Sequence, residues 1–142
     1  MKIYFEFFEE QNLLVQKFKG EWDLNTLIDY HHFLVKQKQL GSIKKIFTDF
    51  RGVSLLPVHN DLLLIANLRD DFHKNIDRIV HLLDLPDSTA MSMLYSDILT
   101  KKGHKSFTCS TIKLGLKILE LDYSENQLES IFDNLNNKFP SD

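Results

Sequence analysis

The feature that most constrains this chain is an alternation of two kinds of apolar pattern. Short runs of branched and aromatic residues take turns with longer segments whose apolar residues recur every three or four positions. Ile3 to Glu9 and Leu13 to Lys19 are runs of the first kind, and polar Glu10-Gln11-Asn12 between them predicts a hairpin. Gly20 ends the second strand, and Asp23 is a good N-cap for a helix striped with Leu24, Leu27, Ile28, His31, Leu34 and Val35, which stops near Gly41. Ile43 to Asp49 reads as the next strand, followed by an irregular stretch from Phe50 to Pro57. Asn60 or Asp61 is placed to cap a second helix ending near Phe72. This helix is apolar at Leu62, Leu63, Leu64, Ile65, Ala66 and Leu68, which is wider than one sheet-facing stripe requires.

The second half repeats the alternation. Ile79 to Leu83 predicts a strand, and Pro86-Asp87-Ser88 opens a third helix that carries Met91, Leu94, Tyr95 and Ile98 to a stop at Gly103. Lys105 to Cys109 predicts the last strand. Ser110 then caps a fourth helix through Leu119, and Ser124 with Gln127 has capping-box spacing for a fifth carrying Leu128, Ile131, Phe132, Leu135 and Phe139. The order implies an α/β fold: a mainly parallel sheet of about five strands, an N-terminal β-hairpin supplying the antiparallel strand, and helices alternating with strands. A chain of 142 residues is one domain's worth.

Composition narrows the function classes. Lys and Arg number 17 against 20 Asp and Glu, so no clustered basic face is available to neutralise phosphates, which argues against nucleic acid as a partner. The 16 aromatic residues against 8 Gly and Pro are the reverse of a disordered composition. Acids interrupt the apolar residues of Met1 to Glu10, unlike a signal segment, and the run Leu62 to Ala66 is far shorter than the ~20 residues of a membrane span. The single cysteine, Cys109, cannot form an internal disulfide. A cytoplasmic protein without membrane insertion is the expectation.

The segment Ile46-Phe47-Thr48-Asp49-Phe50-Arg51-Gly52-Val53-Ser54 resembles the third-strand signature of STAS domains, the SpoIIAA-like or anti-sigma-factor-antagonist fold. The later order is similar too: Arg78 to Asp84, a helix, then Phe107 to Leu119 with Gly115 near the centre of the last helix and Ile118-Leu119 at its end. The resemblance covers 1–121 and leaves 122–142 as an added amphipathic C-terminal helix, packed on the same domain or on a partner. It implies a regulatory module that binds a protein. Switching members of the family carry a phosphorylated serine at the start of the helix after the third strand. Here that stretch is Pro57-Val58-His59-Asn60, so the resemblance implies a module without that switch, with Ser54 the hydroxyl nearest to it.

Asp49, Arg51, Ser54 and His59 lie in or beside the loop after the third strand, where open α/β sheets bind ligands, and they are the candidates for a ligand or partner site. The competing reading is that Asp49 and Arg51 pair structurally. The six histidines lack metal-ligand spacing, and His31 on an apolar helix stripe and His81 in mid-strand read as hydrogen-bonded core residues. Cys109 reads as buried packing, and Gly115 as a point of close backbone approach. No phosphate loop or nucleophile elbow is present, so no catalytic residue, cofactor or metal is expected.

The functional expectation is therefore a non-enzymatic STAS-like protein-binding module. A small-molecule or lipid-binding module of the same fold is the alternative, and a hydrolase-like site between Asp49 and His59 a remoter one. The apolar second helix and the stripe Leu128, Ile131, Phe132 and Leu135 both demand burial. They are expected either to cover each other within the chain or to meet across a homodimer.

Overall fold

Strand β1 (Lys2–Phe8) pairs antiparallel with β2 (Leu13–Lys19) along their whole length, from Lys2 opposite Lys19 to Phe8 opposite Leu13. Asn12 closes the hairpin in the left-handed conformation, which a short polar side chain tolerates better than most. Helix α1 (Leu24–Val35) follows, and the Asp23 carboxylate accepts from the Asn25 amide at 3.2 Å and from the Thr26 hydroxyl. The chain continues through β3 (Lys45–Asp49), α2 (Leu62–Leu68), β4 (Arg78–Leu82), α3 (Pro86–Lys101), β5 (Ser106–Cys109), α4 (Ile112–Leu119), α5 (Glu125–Asp133) and β6 (Asn137–Phe139). This computed structural model describes residues 1–141, with His73 by its backbone alone.

Among the described residues the fold is α/β, with five helices on one mixed six-stranded sheet in the order β5-β4-β3-β2-β1-β6. Strands β2 to β5 pair parallel, and β1 runs antiparallel to both of its neighbours. The sixth strand departs from the sequence expectation, which places Phe139 on the stripe of the fifth helix. Helix α5 instead stops at Asp133, before a run with asparagines at 134, 136 and 137, and Asn137–Phe139 joins the edge of β1. The Glu6 carboxylate fixes this return by accepting from the Asn136 side chain at 2.8 Å. Phe139 then packs at 5.4 Å from Tyr30 and 5.3 Å from Phe33, on the α1 side of the sheet.

Two cores result. On one face Ile3, Phe5, Leu14, Phe18, Ile46 and Ile79 meet α1, α2 and α3. On the other, Leu13, Val15, Phe47, Val80 and Leu82 meet α4 and α5. Helices α2 and α5 therefore lie on opposite faces of the sheet, which corrects the expectation that they cover each other. The α5 stripe is buried within the chain, with Leu128 and Phe132 sealed against the second core. Helix α2 follows Asp61 as the sequence predicts but stops at Leu68, short of the expected end near Phe72, and the residues before it, Leu56–Asp61, wind as a 3-10 turn. It buries Leu62, Ile65 and Ala66 but leaves Leu63 and Leu64 exposed beside Val35 of α1.

Gly115 is where α4 touches the sheet. A Cβ there would lie 2.2 Å from Cζ of Phe47, a ring that is fully buried and edge-packed on Phe132 at 5.4 Å. Close approach thus offsets the ~1 kcal/mol of helix propensity that glycine sacrifices. Gly115→Ala is expected to lower stability by about 1–3 kcal/mol through overpacking. Urea unfolding measures this, and a gain in stability would show that Phe47 can yield.

Candidate functional site

The register of the parallel strands sets one polar residue beside the next. Gln16 lies opposite Thr48, Thr48 opposite His81, and His81 opposite Thr108. All four point to the face covered by α1, α2 and α3, so a polar row crosses the floor of an otherwise apolar core. Its ends are satisfied by helices. Tyr30 donates its hydroxyl to Gln16 at 2.9 Å, and Gln16 donates to Thr48 at 2.7 Å. At the other end Ser92 of α3 bridges Nδ1 of His81 at 3.0 Å and the Thr108 hydroxyl at 2.8 Å.

Above the row stands Arg69, the residue that follows α2, with 4% of its surface exposed. Its guanidinium lies 5.2 Å from the Tyr95 ring centroid, Tyr95 stacks on His81 at 5.8 Å, and His81 meets Phe50 edge-on at 5.5 Å. A desolvated cation–π contact is worth about 2 kcal/mol, whereas burying an ion costs several. The aromatic contact therefore does not balance the buried charge. Nor does a carboxylate: the adjacent Asp70 is held by Lys102 at 3.0 Å and by His104 at 3.6 Å.

Arg69 lines a cavity of about 30 Å³, larger than the ~10–15 Å³ that one water needs. It lies towards the carboxyl ends of the parallel strands, where Trp22 follows β2 and Phe50 follows β3. Leu55, Val58, Leu62, Ile65 and Met91 form its apolar wall. Four of the residues that line it carry buried polar atoms without partners: Nε1 of Trp22, Nε and Nη1 of Arg69, Nε2 of His81 and the hydroxyl of Tyr95. Buried polar atoms are nearly always hydrogen-bonded, so four such residues around one cavity are a departure from the usual pattern. The cover is fastened at both ends. Ser88 donates to the Val53 carbonyl at 2.8 Å and accepts from the Leu55 amide at 2.9 Å, and Lys102 donates to Asn67 at 2.9 Å.

Burial, reinforced by the field of Arg69, lowers His31 and His81 to about 3, so both stay neutral in the fold. Burial likewise pushes the Tyr95 hydroxyl up to about 12. Nδ1 of His31 faces the Leu27 carbonyl at 2.9 Å and donates to it. Burial raises the Cys109 thiol to about 11, which makes it a packed side chain with little thiolate character at neutral pH.

The residues singled out from the sequence lie elsewhere. Asp49 is fully buried but points to the α4/α5 face. It accepts from the Arg51 amide at 2.9 Å, from Nε of Arg51 at 2.9 Å and from Nη2 at 2.8 Å. Arg51 continues to Glu129 of α5 at 2.7 Å, and its hydrogen bonds to Asp49 first and Glu129 second hold it firmly protonated. Asp49 and Arg51 thus tie β3 to the added helix. Ser54 and His59 are exposed and join neither that network nor the cavity, and His59 faces Asn60 at 3.4 Å. Among the described residues no group of three or more His, Cys, Asp or Glu is arranged to hold a metal ion, and no helix is long and apolar enough to cross a membrane.

Sequence reasoning passed over Gln16, Thr48, Arg69 and Tyr95 and read His81 as core. The available signal was a polar residue in the interior of each of four apolar strands. Compared with family models, curated proteins and solved structures, the chain matches none of them.

Two measurements follow. Asp49→Ala is expected to cost about 1–3 kcal/mol by leaving the Arg51 donors unpaired, and Glu129→Gln under about 1 kcal/mol because that carboxylate is half exposed. The two histidines carry the pH dependence. Their folded-state values lie below the unfolded 6.5, so the unfolded chain binds more protons as pH falls from about 6.5 towards 3. Stability is then complete above about pH 6.5 and declines below it by at most about 1.4 kcal/mol per pH unit per histidine. Urea midpoints should drop between about pH 7 and pH 5, and His81→Asn should flatten the slope; equal midpoints across that window would contradict neutral burial.

Proposed function

We propose that this chain is a non-enzymatic binding module that takes a small polar ligand in the cavity between the polar row and the segment 53–69. The observation that carries this reading is that one cavity is lined by four residues, Trp22, Arg69, His81 and Tyr95, that carry buried polar atoms without partners. Its position supports the same reading, because ligands of α/β sheets gather at the carboxyl ends of parallel strands. The role is regulatory binding rather than turnover: the groups offered are hydrogen-bond donors and an aromatic column, with the two histidines held neutral. The STAS-like architecture belongs to the same proposal and is supported by the order of segments up to Leu121.

A second reading, a homodimer, is favoured by the neighbouring exposed residues Val35, Leu63 and Leu64, two of which are more than half exposed. A self-complementary patch on α1 and α2 would cover them across a two-fold axis. Light scattering decides this: a dimer that dissociates in Leu63→Glu supports it, and a monomer at all concentrations refutes it.

Trp22 is the only tryptophan, so its fluorescence reports on the cavity directly. Titration with a panel of small polar molecules is expected to shift Trp22 emission and raise the melting temperature for at least one class. Val58→Phe, which fills the cavity from its wall, should abolish both responses. A panel without any response would overturn the ligand-binding reading.

A further inference from the structure

The segment 56–69 covers its part of the sheet with little regular structure. It consists of a 3-10 turn, the seven residues of α2, and Arg69, whose amide donates to the Ala66 carbonyl at 3.3 Å. Among the described residues no backbone hydrogen bond joins this segment to another helix or strand. Its neighbours α1 and α3 run for 12 and 16 residues, and α3 is bonded to β5 through Ser92 with Thr108 and Ser96 with Ser106. The polar fastenings of the cover lie at its margins. Ser88 grips Val53 and Leu55 just before it, and Lys102 grips Asn67 and Asp70 around its end. Between those margins the packing of Val58, Leu62, Ile65 and Ala66 holds it down, while Leu56, Leu63 and Leu64 stay half exposed or nearly so and add little to closure.

Arg69 works against that packing. It is 4% exposed, Nε and Nη1 have no partner, and the adjacent carboxylate of Asp70 is committed to Lys102. Closing the cover dehydrates the guanidinium, and opening returns it to water; the Tyr95 ring at 5.2 Å offsets only part of the loss. Apolar burial and an unpaired buried cation therefore pull the same short segment in opposite directions. A seven-residue helix has little stability of its own to resist. We infer that residues 56–69 form a lid that opens as one unit while the sheet, α1 and α3 stay folded, with Arg69 as the group that favours opening and the Ser88 and Lys102 attachments as its margins. The inference concerns the free chain and does not rest on the ligand-binding reading.

Hydrogen exchange of the full chain at neutral pH, followed by mass spectrometry on overlapping peptides, tests it. Peptides across 56–69 should share one level of protection, at least about tenfold below that of β3 and β4, because a lid exchanges through a sub-global opening. Arg69→Met should slow exchange across 56–69 at least about tenfold relative to β3 and β4 in the same variant, since it removes the charge that gains from hydration. Lys102→Ala, on the surface, should hasten it by loosening one margin. Protection equal to that of β3 and β4, or a gradient that rises steadily from one end as in fraying, would overturn the lid, as would unaltered exchange in Lys102→Ala. Exchange unchanged or faster in Arg69→Met, or failure of that variant to fold, would overturn the role of Arg69. A ligand panel without any response would leave this inference standing, so the two readings fail separately.

Discussion

Residues along a strand alternate between faces, and in this sheet the two faces are so differently furnished that register governs everything else. A slip of one residue in β3 would carry Thr48 into the α4/α5 core and Phe47 into the polar row. Held in register, Phe47 sits under Gly115, and Thr48 completes the line from Gln16 to His81. The same parity sends Asp49 to the second face, where it anchors Arg51 and, through it, α5. A buried polar row is expensive unless each member is satisfied, so it also disfavours slipped pairings that would break Tyr30–Gln16–Thr48 or His81–Ser92–Thr108.

The cover over that row is the least regular part of the fold, and its fastening explains how it stays in place. The chain from Phe50 to Asp61 makes a 3-10 turn and no strand, and α2 is only seven residues long. Such a segment has little helical stability of its own. It is held by Ser88 of α3 at one end and at the other by the contacts of Lys102, the residue that follows α3, to Asn67 and Asp70. Arg69 lies between Asn67 and Asp70, so the exposed ends of the clamp take the hydrogen bonds and the ion pairs while the guanidinium is directed inward.

Much of this architecture was legible in the sequence because it depends on local periodicity and local capping. The hairpin, the four parallel strands and the starts of the five helices fall close to where the two periods place them, with Asp23 and the Ser124–Gln127 box starting α1 and α5, whereas α1, α2 and α5 end earlier than their stripes predict. What escaped depends on contacts distant in sequence. Strand β6 exists because the edge of β1 accepts it and Glu6 binds Asn136, 130 residues away. The opposite placement of α2 and α5 follows from the faces to which their connections lead, and no apolar stripe encodes that. The polar row is visible only once Gln16, Thr48, His81 and Thr108 are set side by side, since each alone resembles an ordinary satisfied polar residue in a strand.

Two arginines show how differently this fold accommodates a guanidinium. Arg51 keeps more than a quarter of its side chain in solvent and divides its donors between Asp49 and Glu129, so its hydrogen-bonding capacity goes into holding α5 on the sheet. Little remains for a ligand, although the residue sits in the loop where sequence reasoning looks first. Arg69 has the opposite surroundings: an aromatic ring 5.2 Å from it, aliphatic side chains around it and two buried donor nitrogens without partners. An ion pair that is already complete contributes rigidity. A buried cation without its counterion holds a standing electrostatic demand, and Arg69 shares its cavity with Trp22, His81 and Tyr95, each of which also carries a buried polar atom without a partner.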